Sequence, residues 1–122
     1  MTNYVKGPDF IVLQVRDMEE SRRFYTEIIG LAVAPSSPPE AIVFMITPVP
    51  FAIRKPFVDL DAVTQLGHGV AIWFRVEDSA TLHLHMKNCN VPIVRELTDS
   101  PFGQTFTFRD PDGYLITVHD RG

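Results

Sequence analysis

Cysteine is nearly absent. Cys89 is the only one, so no internal disulfide can form. That fits a reducing compartment, and a cytoplasmic protein is expected. The seven glycines never cluster into a loop able to cradle phosphate. No apolar run approaches the ~18 residues of a membrane span. Residues 1–7 lack the apolar core of a secretory leader, so neither a leader nor a membrane partner is expected. Basic residues form no stripe: Arg22-Arg23 and Arg54-Lys55 are isolated pairs in a chain of net charge −4, which argues against nucleic acid as a partner. Nucleophilic catalysis finds no support either. Ser21, Ser79 and Ser100 have no recognisable base beside them, and Cys89 sits between two asparagines with no cationic neighbourhood to hold a thiolate.

What is present is an ordinary globular composition. The 122 residues are 45% hydrophobic and 21% charged, enough for one domain or two small modules sharing a core. Phe10 to Val15 is rich in β-formers. Met18 to Ile29 has helical character, with Asp17 as N-cap, Glu20 placed for a capping box, Phe24 and Ile28 spaced to share a face, and Gly30 as the stop. Strands are expected over 31–34, 41–46 and 51–54, separated by a proline-rich loop, Pro35 to Glu40. Residues 55–67 read as a connector with room for a helical turn within 59–66. Then the pattern restarts: a strand over 70–76, a helix over 79–87 capped by Asp78 or Ser79, a strand over 91–96, a loop over 97–103, and a closing hairpin.

That hairpin is the most informative segment. Phe106 to Arg109 and Tyr114 to His119 alternate as half-buried strands do. Asp110-Pro111-Asp112-Gly113 between them is a turn: proline presets φ, the aspartates bond local backbone, and glycine tolerates positive φ. Phe106 and Phe108 are expected in the core. Aligning Asp17 with Asp78 gives an offset of 61 residues, half the chain, which also matches Leu13 with Phe74 and Val15 with Val76. The economical reading is an α+β chain of two βαβββ modules, about 8–58 and 67–120 of a single domain. Neither module can bury its sheet face alone.

With these features the chain resembles the vicinal oxygen chelate superfamily, which includes glyoxalase I, extradiol dioxygenases, fosfomycin-resistance enzymes and bleomycin-resistance proteins. The resemblance rests on Val15-Arg16-Asp17, Ser21, Phe24-Tyr25 and Ile29-Gly30-Leu31 in the first module. In the second it rests on Val76-Glu77-Asp78, Pro101-Phe102-Gly103 and Arg109-Asp110-Pro111-Asp112-Gly113. It implies curved mixed sheets around a cavity, commonly in a homodimer. In metal-dependent members it also implies a His seven residues before each capping Asp and a Glu four residues after the turn Gly. Those positions hold Phe10, Ala71 and Thr117 here, and the equivalent in the first module falls near Ile53. Three of the four cannot bind a metal and threonine is a poor ligand. No metal and no cofactor is therefore expected.

If the vacant positions face inward, strand alternation gives a pocket lined by Phe10, Gln14, Ala71, Trp73, Arg75, Thr117 and His119. Such a lining suits a flat organic ligand, with rings stacked on Trp73 and Phe10 and Arg75 available to a carboxylate or a ring face. Plain core packing accounts equally well for Trp73 and somewhat better for Phe10. His83 and His85, two apart on a helix, diverge, and His68 between two glycines reads as a loop residue. The expected function is metal-independent sequestration of a small, partly aromatic molecule, such as an antibiotic, of the bleomycin-resistance type. The alternatives are a divergent enzyme (lyase, isomerase or dioxygenase) using shifted ligands or an acid–base group, His119 or Glu40, and a scaffold with no ligand.

Overall fold

The structure is a computed structural model that describes residues 4–121. The chain divides between Leu60 and Asp61 into two compact units.

The first unit runs β1 (Ile11–Gln14), α1 (Met18–Arg23), a π-helical turn (Phe24–Ile28), β2 (Ala32–Val33), β3 (Ala41–Met45) and β4 (Phe51–Arg54). Its sheet has the order β1-β4-β3-β2, with β1 parallel to β4 and the other pairs antiparallel. Asp17 starts the helix as expected: extended itself, it accepts the Glu20 amide hydrogen on its carboxylate at 3.0 Å. The helix does not continue as α to Ile29. Ile29 N bonds Phe24 O at 3.1 Å, an i to i+5 contact that widens the turn. The wider turn lets two successive residues, Phe24 and Tyr25, point inward together. Tyr25 lies 5.8 Å from Phe44 and 5.0 Å from Phe51, ring centre to ring centre. Ile28, expected to share a face with Phe24, is only half-buried. Leu13, Val15 and Ile53 complete this core.

A 3-10 turn, Leu60–Ala62, falls within the connector. The second unit then repeats the plan: β5 (Ile72–Arg75), α2 (Ser79–Asn88), β6 (Ile93–Ser100), β7 (Gly103–Arg109) and β8 (Leu115–His119). The order is β5-β8-β7-β6, with β5 parallel to β8. Asp78 caps α2, accepting from Thr81 N at 3.1 Å. Phe106, Phe108, Ile116, Val118 and Met86 are buried between the sheet and α2, as expected for the two phenylalanines. Each such side chain contributes about 1.5–3 kcal/mol on burial.

The stretch 97–103 is not a loop. β6 continues to Ser100, and only Pro101 and Phe102 turn the chain into β7. Register shifts between Ile93 and Arg95 and between Arg95 and Thr98 interrupt the alternation that marks a strand. The closing hairpin forms as read. Asp110 is buried, and its Oδ1 accepts from the amides of Asp112, Gly113 and Tyr114, each at 3.0 Å. Gly113 has φ 99°, open to glycine and costly to others.

Candidate functional site

In-register residues on neighbouring strands share a face. The second sheet therefore presents two rows on the side away from Phe106, Phe108, Ile116 and Val118. One row reads Trp73, Thr117, Thr107, Arg95 across β5, β8, β7 and β6. The other reads Arg75, His119, Thr105, Thr98. Thr117 and Thr107 are joined through their hydroxyls at 2.7 Å. Thr105 and Thr107 are buried, so the floor of this face is made of hydroxyl-bearing side chains.

At one end of the floor stands an aromatic wall. Trp73 is 46% exposed and Phe102 is 54% exposed. Their ring centres lie 5.8 Å apart, edge to face. His119 completes the group, 6.0 Å from Trp73 and 6.2 Å from Phe102. Its Nδ1 lies 2.8 Å from the Arg121 carbonyl oxygen. A carbonyl only accepts, so Nδ1 carries the hydrogen, and in the neutral ring Nε2 is left as an acceptor. Arg75 stands beside His119 and two residues from Trp73. Its guanidinium forms no hydrogen bond or ion pair among the described residues.

Asp120 points the other way. It accepts from Ser79 N at 3.1 Å and Gln104 N at 2.9 Å, tying the end of β8 to α2 and β7. These amide donors, Ser79 first, hold its carboxyl below the usual aspartate range.

The first sheet is different. Val12 and Gln14 share the face away from α1, as alternation implied, and Phe10, 61% exposed, precedes β1. Gln14 is not simply open to a ligand, however. Its Oε1 accepts the Phe57 amide hydrogen at 2.6 Å, while Arg54, its partner across the sheet, lays its guanidinium 3.6 Å from the Phe57 ring centre. The amide oxygen thus pins the chain that follows β4, a contact invisible in sequence because 43 residues separate the partners.

The register also settles the fourth metal position. Trp73 pairs with Thr117, and its counterpart under the 61-residue offset, Val12, pairs with Ala52. The equivalent of Thr117 is therefore Ala52. Ile53 is fully buried on the helix side, one residue out of phase. Phe10, Ala71, Ala52 and Thr117 supply a single neutral hydroxyl, already bonded to Thr107. This donor set does not fit a divalent metal. Among the described residues no group of three or more His, Cys, Asp or Glu is arranged to hold one.

Of the seven residues expected at the site, Trp73, Arg75, Thr117 and His119 come together on one face, with exposed Ala71 just before β5. Gln14 belongs to β1 of the first sheet, and Phe10 lies just before that strand. Sequence reasoning missed Phe102, Thr105, Thr107 and Arg95. Thr107 was accessible by counting: it and Thr117 each lie five residues from Asp112, and they pair across the hairpin. Phe102 and Arg95 were hidden by the bulged strand. The other histidines lie elsewhere. His83 Nε2 meets Glu96 at 2.7 Å, and exposed His85 lies 4.0 Å from Cys89 Sγ.

The chain belongs to the glyoxalase/bleomycin resistance protein/dioxygenase superfamily, whose pattern matches residues 7–118. No curated protein matches it. Among solved structures it is similar to an integron cassette protein from the mobile metagenome of V. cholerae, at 20% identity and TM-score 0.72, covering 100% of both chains. It is similar to a lactoylglutathione lyase from Agrobacterium tumefaciens, at 18% identity and TM-score 0.67, covering 97% of this chain and 96% of that one. It is also similar to a genomically encoded fosfomycin resistance protein from Listeria monocytogenes, at 18% identity and TM-score 0.75, covering 97% of this chain and 95% of that one. At such identities the likeness is one of fold. No helix is long and apolar enough to cross a membrane among the described residues.

Proposed function

We propose that the protein binds and sequesters a small, partly aromatic molecule without a metal, in the manner of bleomycin-resistance proteins, and does so as a cytoplasmic homodimer. The observation that carries this reading is the half-exposed Trp73–Phe102–His119 cluster on a face whose family metal positions hold no adequate donors. Large aromatic side chains left half in water beside polar groups are a recurrent feature of ligand sites. The named neighbours include a lyase and a resistance protein, so membership alone does not choose between catalysis and binding.

The test is metal analysis of the purified protein together with isothermal titration against bleomycin and a panel of aromatic antibiotics. The expected result is substoichiometric metal and saturable binding that Trp73→Ala weakens about tenfold, as loss of one stacking partner worth about 1–1.5 kcal/mol implies. Stoichiometric zinc, nickel, manganese or iron, removable with loss of binding, would sink the proposal. Light scattering on the same sample checks the dimer.

An enzymatic reading has one observation in its favour. The orientation of His119 leaves Nε2 able to take a proton when the ring is neutral. Glu40, the other acid–base candidate, is an exposed residue with φ 65° just before β3. Recovery of the bound molecule chemically changed, with turnover lost in His119→Gln, moves the assignment to this reading.

A further inference from the structure

The charges on the open face of the second sheet are all of one sign. Alternation and register put the charged Arg75 of β5, Arg95 of β6 and Arg109 of β7 on that face, beside His119 of β8. The carboxylates on these strands are turned elsewhere. Glu96 contacts His83 at 2.7 Å and Lys87 at 3.0 Å, both on α2. Asp99 pairs across the sheet with Gln104, which alternates with buried Phe106 on the helix side. This arrangement stands out in a chain of net charge −4. Between the charges lie the hydroxyls of Thr117 and Thr107, bonded to each other so that one of the two keeps a hydrogen to donate.

Resting on the binding reading above, we propose that the ligand is an aromatic anion: a flat ring seated against Trp73 and Phe102, with a carboxylate taken by Arg75. Two residues along β5 separate Trp73 from Arg75 by roughly 7 Å, about the span from a fused ring to its own carboxylate. Arg95 lies three strands away, roughly 14 Å at the spacing of neighbouring strands, beyond reach of a small ligand's acid group. Guanidinium, unlike ammonium, offers two parallel N–H donors that match a carboxylate edge. A neutral amide of the same shape would leave this charge uncompensated. A cation at the same place would meet the Arg75 guanidinium, with no carboxylate from these strands on that face.

The test is isothermal titration of the full chain with three probes of one shape: naphthalene-2-carboxylate, naphthalene-2-carboxamide and naphthalen-2-ylmethylammonium. The carboxylate is expected to bind about tenfold tighter than the carboxamide, the ratio one charge-assisted contact supplies. Arg75→Gln should abolish that preference while leaving carboxamide affinity within about twofold, and Arg23→Gln, on α1 of the first unit, should change neither ratio nor affinity by more than about twofold. Both arginines are exposed, and circular dichroism of the two variants checks that the fold is kept. Equal binding of carboxylate and carboxamide, or tighter binding of the ammonium, overturns the anion assignment and leaves aromatic binding standing. Equal losses from the two arginine variants overturn the role of Arg75. Binding of none of the three probes overturns this inference and the reading beneath it.

Discussion

Gly103 shows how closely single residues are fitted here. It has φ 84°, and a Cβ there would overlap Asp120 Oδ1 and stand 3.1 Å from Arg121 N. Gly103→Ala is expected to lower stability by about 1–3 kcal/mol through strain and the displaced carboxylate. A denaturant midpoint unchanged by the substitution would show that Asp120 moves aside freely. Asp120 itself predicts a pH effect. Amide donors depress its folded pKa, so the unfolded chain takes up its proton first as pH falls. Its contribution is fully present above the unfolded pKa and is lost as pH falls through the folded one. Melting temperature should therefore drop on acidification within and below the usual aspartate range, and Asp120→Asn should flatten that part of the profile. An identical acid limb in the variant would place the titration elsewhere. Thr117, Trp73, Arg75 and His119 were legible as one face because a strand's period of two is strict. The bond from Phe57 to Gln14 and the one-residue phase between Ile53 and Ala52 were not legible, since a hydrogen bond across 43 residues and a shift of one residue leave no mark on local pattern.

Elements were read well where a cap or turn defines them and poorly where the backbone departs from regular form. Both aspartate caps form as expected. The π-helical turn and the bulges of β6 do not declare themselves, because each shifts the apolar period midway through an element. The hairpin between β7 and β8 depends on Asp110, whose one oxygen serves three amides. Asp110→Ala is expected to cost about 2–4 kcal/mol, since buried donors are left unpaired. Asp110→Asn, which keeps an acceptor oxygen, should cost less than half of that. Chemical denaturation of the pair measures both, and equal losses would mean that charge, not the three-way acceptor, holds the turn. This hairpin sets which residues stand opposite Thr117, so a slipped turn would carry Thr107 and His119 to the wrong face.

For the molecule as a whole, dialysis against a chelator should leave melting temperature and ligand affinity unchanged, because the four family positions hold one hydroxyl between them. A chelator-induced fall in either would point to a metal bound through other groups. The sequence by itself determined the class of fold, for capped helices, alternating strands and a 61-residue repeat are local or periodic signals carried in order along the chain. It also determined that three of the four family metal positions hold no donor, since Phe10 and Ala71 are found by counting and alanine and isoleucine are equally barren at the third. Only the tertiary structure decided which residues share a face across strands. Register is fixed by pairing between distant segments, and it alone brought Phe102 to Trp73, aligned Thr107 with Thr117 and Arg95, and gathered the basic side chains on one side of a sheet.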